Sequence, residues 1–131
     1  MIGLLIVTHG RLSEALLESA AMLVNDTDRV RAVSFLPGQG IEDLSNAVRG
    51  ALDELADNDG ILAMVDIPGG SPARVVGGLT LERPGLGLVT GVNLAMVVEA
   101  LMARQTVTLS ELVDLVLRSG RDSIGDLASA I

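Results

Sequence analysis

The sequence predicts an α/β fold: an open, mainly parallel four-stranded sheet in the order 2-1-3-4, with helices on both faces. Three observations carry that expectation. Short apolar runs closed by glycine, proline or a polar residue recur along the chain and read as buried parallel strands. Segments with apolar residues at helical spacing separate them, so that strands and helices alternate. No repeat, low-complexity tract or linker divides the 131 residues, and residues 1–131 fit one domain.

The first strand is the run Ile2 to Thr8, ended by His9-Gly10. Leu12 to Val24 follows with helical spacing, and Ser13 stands where a cap is expected. Val30 to Leu36 reads as the second strand, stopped by Pro37-Gly38. Ile41, Leu44, Val48, Ala51, Leu52 and Leu55 form the apolar stripe of a second helix. Gly60 to Asp66 is the third strand, ending in a carboxylate and the turn Ile67-Pro68-Gly69-Gly70. Ser71-Pro72 reads as an N-cap and first helical residue, and Gly77-Gly78 is expected to interrupt that helix through close packing on the sheet. Gly85 to Thr90 is the fourth strand; Asn93 caps a helix running to about Arg104; Thr108 to Glu111 has the capping-box spacing. The tail from Asp122 to Ile131 fits either a last strand or a short helix.

Composition removes several function classes. The net charge is -8 and the nine basic residues are all Arg, which argues against nucleic acid or an anionic membrane as the main partner. The absence of Cys excludes disulfides, thiolate metal sites and cysteine nucleophiles, and a single His excludes a multi-histidine metal site within one chain. No metal and no cofactor are expected. Met1 to Val7 has neither a basic region nor a small-residue cleavage site, and no run is long enough to span a bilayer, so a cytoplasmic protein is the default expectation. Phe35 is the only aromatic residue, which leaves the core to aliphatic side chains; Met64, Met96 and Met102 sit in apolar segments and are expected to pack there.

His9 and Asp66 fall at the carboxyl ends of the first and third strands. In an open α/β sheet, ligands bind outside the carboxyl ends at the point where strand order reverses. With the order 2-1-3-4 the two residues share one pocket. A carboxylate bonded to one ring N–H fixes the imidazole tautomer and leaves the other nitrogen as a nucleophile. Gly69, Gly70 and Ser71, at the opening of a helix, would bring backbone N–H groups and a positive dipole end to an anion. Nucleophile and anion cradle together read as phosphoryl transfer through a phosphohistidine. Taken singly, the same residues also fit a polar strand end, a turn-closing carboxylate and an ordinary helix cap.

The segments Ile6-Val7-Thr8-His9-Gly10, Asp66-Ile67-Pro68-Gly69-Gly70-Ser71-Pro72, Gly91-Val92-Asn93-Leu94-Ala95-Met96 and Glu99 to Arg104 resemble the mannose-type (mannose/fructose/sorbose) IIA components of the bacterial sugar phosphotransferase system. The resemblance runs over essentially the whole chain. It implies a phosphocarrier that accepts a phosphoryl group from phospho-HPr on His9, on Nε2, with Asp66 orienting the ring through Nδ1 and Ser71 and nearby amides holding the phosphoryl group. It further implies transfer to a IIB protein, indirect service to the IIC and IID membrane components, and a homodimer that exchanges a C-terminal strand, which would account for Ile124 to Ile131. No linker or IIB region is readable, so the expected IIB partner is a separate polypeptide. Pro68 and Ala95 depart from the family pattern, where an aromatic residue and a proline are common, and bear on the partner surface. Arg11 and Arg74 are candidate phosphate or partner contacts, with a plain surface arginine as the alternative. Two other readings share the chemistry: a regulatory phosphoprotein without its own sugar permease, and a phosphatase using a phosphohistidine, for which no second general acid is evident.

Overall fold

A computed structural model describes residues 1–130. The elements run β1 (Gly3–His9), α1 (Leu12–Ala21), β2 (Val30–Phe35), α2 (Ile41–Leu55), β3 (Ile61–Val65), α3 (Ser71–Thr80), β4 (Leu86–Val89), α4 (Leu94–Ala103), α5 (Leu109–Asp122) and α6 (Leu127–Ala130). The four strands form one parallel sheet in the order β2-β1-β3-β4. The expected class and strand order are therefore observed. Right-handed crossovers put α2 and α3 on one face and α1, α4 and α5 on the other.

The period-two alternation of a strand splits the core in two. Leu4 and Ile6 of β1, with Leu62 and Met64 of β3, point toward α1, α4 and α5, where they meet Ala20, Val97, Ala100, Leu112 and Val116. Leu5 and Val7, with Ile61, Ala63 and Val65, point toward α2 and α3 and meet Leu44, Val48, Leu52, Val76 and Leu79. All of these are buried on one face or the other. Each fully buried Leu, Ile or Val stabilises the fold by about 1.5–3 kcal/mol relative to exposure.

Helix starts follow from capping chemistry. Asn93 accepts the Met96 N–H at 3.0 Å, and Thr108 and Glu111 form the expected reciprocal box at 3.2 and 3.0 Å. Three expectations about helices need correction. Ser13 is not the cap of α1 but lies buried inside its first turn; its N–H donates to Thr8 Oγ1 at 2.7 Å and its hydroxyl to the Val33 carbonyl at 2.9 Å. The first turn is thus satisfied from β1, across five residues, instead of by the neighbouring side chain. Helix α3 is not interrupted at Gly77-Gly78, and the pair is not packed closely: a Cβ at Gly78 would meet nothing within 4 Å, and one at Gly77 only Leu88 at 3.9 Å. Met64 and Met96 are buried as expected, but Met102 is 67% exposed, on the outer side of α4.

Of the two readings of the tail, the short helix is the one seen in this chain: Leu127–Ala130 is a single helical turn, and the Asp126 carboxylate captures both the Ser129 N–H and its hydroxyl. That local bond favours a turn over an extended chain. Ile131 lies outside the described residues. No helix among the described residues is long and apolar enough to cross a membrane.

Candidate functional site

The site forms where β1 and β3 end side by side. β1 pairs with β3 from Gly3↔Ile61 to Val7↔Val65, so the residues that follow, His9 and Asp66, emerge at the same edge of the sheet. His9 has the same parity as Leu5 and Val7 and therefore leaves on the α2/α3 face. Gly10, at φ +58°, then turns the chain into α1, a conformation glycine adopts without the steric penalty of a Cβ.

Asp66 Oδ2 lies 2.8 Å from His9 Nδ1 and also accepts the His9 backbone N–H at 3.0 Å, while Oδ1 accepts the Ile67 N–H at 3.0 Å. The carboxylate is thus bound to the backbone as well as to the ring. Its own carbonyl accepts the Gly91 N–H at 3.0 Å, which ties the β4–α4 loop to the same point. Burial pushes the Asp66 carboxyl upward and is the largest single influence. The hydrogen bonds from the His9 N–H, the His9 ring and the Ile67 N–H act in the opposite direction, and together they hold it below the ordinary carboxylate value. Because an ionised carboxylate only accepts, the facing Nδ1 carries the proton, which makes Nε2 the lone-pair nitrogen of the neutral ring. The His9 side chain is 45% exposed and that of Asp66 is 14% exposed, so the nucleophile candidate is open to solvent while its partner is sheltered.

Gly70 stands against the ring. A Cβ built there would lie 2.4 Å from His9 Cε1 and 3.1 Å from Nε2. Any side chain at position 70 would displace the imidazole, which is why the turn must be glycine here. Gly70 is also the N-cap of α3, with Ser71 and Pro72 as its first two residues, so the helix starts one residue earlier than expected. The first-turn amides of Ser71 and Ala73 lack helical partners, and Pro72 has no N–H to leave orphaned. This is a helix start with donors free for an anion, beside Nε2.

Of the predicted residues, His9, Asp66 and Gly70 are brought into contact, and Gly69 and Ser71 flank Gly70. Arg11 pairs with Glu14 at 3.2 Å, and Arg74 lines a groove of about 330 Å³ between α2 and α3 that contains neither His9 nor Asp66. One residue beside the histidine was not anticipated. The Phe35 ring meets the His9 imidazole edge-on, with centroids 6.1 Å apart and planes at 64°. The signal was present: Phe35 is the sole aromatic residue and ends the strand that flanks β1.

A family profile described as "EIIA-man: PTS system fructose IIA component" matches residues 3–117. The chain belongs to this family. The PTS system mannose-specific EIIAB component of Escherichia coli K12 is 35% identical over 124 residues, 94% of this chain and 38% of that relative. The chain therefore spans well under half the length of that relative. The PTS system fructose-specific EIIA component of Bacillus subtilis is 32% identical over 114 residues, 87% of this chain and 78% of the relative. Among solved structures, a phosphotransferase system component EIIA from Streptococcus agalactiae superposes with a TM-score of 0.90 at 28% identity, covering 98% of this chain and 99% of that one. The mannose/sorbose specific IIA subunit from Enterococcus faecalis gives 0.88 at 27%, covering 95% and 93%.

Proposed function

We propose that this IIA chain is a phosphocarrier in which His9 Nε2 accepts a phosphoryl group from phospho-HPr and passes it to a IIB acceptor. The observation that carries the reading is the Nδ1···Asp66 contact at 2.8 Å, which leaves Nε2 as the nucleophile next to the start of α3.

The Nε2 lone pair attacks phosphorus while the P–N bond to the donor histidine breaks, and the donor ring keeps that electron pair. The proton on Nδ1 stays in place, and the ionised Asp66 offsets the positive charge that develops on the ring. The amides of Ser71 and Ala73, the Ser71 hydroxyl and the dipole of α3 are suited to the equatorial oxygens in flight. Gly69 and Gly70 keep the turn low enough for a phosphoryl group to approach. Transfer onward reverses the same steps on a IIB partner, so the IIC and IID components are served without contact with this chain.

The test is intact-mass analysis after incubation with phosphoenolpyruvate, enzyme I and HPr, alongside His9→Ala. One phosphoryl group that is acid-labile and base-stable, and absent from the variant, is the expected result. Labelling that persists in His9→Ala would overturn the assignment.

A further inference from the structure

We propose that Phe35 is a positioning residue for the His9 imidazole, and that this single aromatic side chain keeps Nε2 available for the phosphoryl group. The proposal rests on the reading that His9 is the phosphorylated residue and extends it to a residue outside the hydrogen-bonded pair.

The geometry points to Phe35 on three counts. First, it is the register partner of His9 in the β1–β2 pairing, and paired residues on adjacent strands project to the same face. Second, its backbone carbonyl accepts the Gly10 N–H at 2.8 Å, so the residue after the histidine is fastened to the same point. Third, its ring meets the imidazole in an edge-on arrangement, an orientation that aromatic pairs prefer.

The strand order gives these contacts their meaning. β1 lies between β2 and β3. Asp66 and Gly70 therefore reach His9 from the β3 flank, and Phe35 reaches it from the β2 flank. The Asp66 bond fixes one ring atom only. A ring held at Nδ1 and nearly half exposed can still rock about that bond, carrying Nε2 away from the α3 amides. Gly70 limits the motion on one side because the ring already lies against its backbone. Phe35 limits it on the other. Its own ring is half-buried and packed with Val33 against the α2/α3 core, so it is an anchored wall, not a free side chain. In a chain otherwise built from aliphatic residues, a flat rigid ring is the one side chain suited to this task. A leucine of similar bulk would fill the space yet present a mobile, non-planar surface.

The test compares Phe35→Leu, Phe35→Tyr and the wild-type chain. Two readouts are taken: the ¹⁵N shifts of the His9 ring at one mildly alkaline pH, which report the Nδ1–H/Nε2–H tautomer ratio without any phosphorylation, and the single-turnover rate of transfer from phospho-HPr. Thermal unfolding is followed to confirm that all three fold. Phe35→Leu is expected to shift the ring nitrogens toward a tautomer mixture and to slow transfer about 3- to 10-fold, the scale on which an aromatic pair contact acts. Phe35→Tyr, which keeps the ring, is expected to restore both. Wild-type tautomer shifts and rate in Phe35→Leu would overturn the proposal, as would a Phe35→Tyr chain that behaves like Phe35→Leu. A shift in the ring signals without any phosphorylation of the wild-type chain would support the positioning role and sink the phosphocarrier reading instead.

Discussion

Thr8 and His9 are consecutive residues of one strand, and they belong to different halves of the molecule. Thr8 is fully buried on the α1/α4/α5 face, where its hydroxyl accepts the first-turn N–H of Ser13. His9 is exposed at the end of the α2/α3 face, with Asp66 on its ring. The first face is closed: three helices cover it, and even a guanidinium, that of Arg104, is buried at its base against the carbonyls of Ile2, Arg29 and Asp26. The second face is covered by two helices, one of which carries an unpacked glycine pair, and it ends in the exposed imidazole of His9. The candidate site thus lies on one side of β1 only, and a substitution on the other side is expected to spare it.

The largest effect is expected at the His9 end. Asp66→Asn replaces an acceptor of the ring N–H by an amide that can donate, which admits the wrong tautomer. Phosphorylation by phospho-HPr should slow by roughly 100-fold or more while the circular-dichroism spectrum is retained. The same variant tests the electrostatics. Because the native carboxyl sits below its ordinary value of 3.8, folding favours the ionised form. That contribution to stability is present above the ordinary value and is lost as pH falls through the native one. The stability gap between wild type and Asp66→Asn should therefore narrow on acidification in urea titrations; a gap that widened would contradict the ionised assignment.

The converse disturbance is Thr8→Val, which leaves the buried Ser13 N–H without an acceptor. Urea unfolding should show a loss of about 1–3 kcal/mol. Phosphorylation of His9 should still go to completion, and a phosphorylation defect as deep as that of Asp66→Asn would erase the division between the faces. The smallest effect is expected at Gly78. Its Cβ position is open, so Gly78→Ala should raise stability by about 0.5–1 kcal/mol through helix propensity alone. A loss on thermal unfolding would mean that the α2/α3 face is more tightly packed than its geometry indicates.

How far the sequence could be read depended on how local the controlling contact was. The strand order, the caps at Asn93 and Thr108, and the joint position of His9 and Asp66 follow from patterns a few residues long or from the ends of apolar runs. Ser13 was misread because its true partner, Thr8, lies on another element and across a turn. The α3 start falls one residue earlier than expected because Gly70 and Ser71 are both good caps, and their order in the sequence does not decide between them. At Gly77-Gly78 the sequence suggested a close contact that the packing does not contain. Phe35 was visible as an oddity, but its role depends on register between β1 and β2, which no local motif encodes. The tail pattern fits a strand or a short helix, and the bond between Asp126 and Ser129, three residues apart, favours the helical turn.

The seven residues of β1 also act as a counting device. The strand is registered at its far end, where the Gly3 N–H meets the Gly60 carbonyl and the Leu4 N–H meets that of Arg29. A shift of one residue would turn every side chain to the opposite face. With the far end fixed, the loss of one residue would place the imidazole among the residues around α1 and bring Gly10 to the mouth of the site. Which side chain reaches the candidate site is therefore a matter of parity, and a single deletion anywhere between Gly3 and Thr8 is expected to remove the imidazole from it as completely as replacing His9 itself.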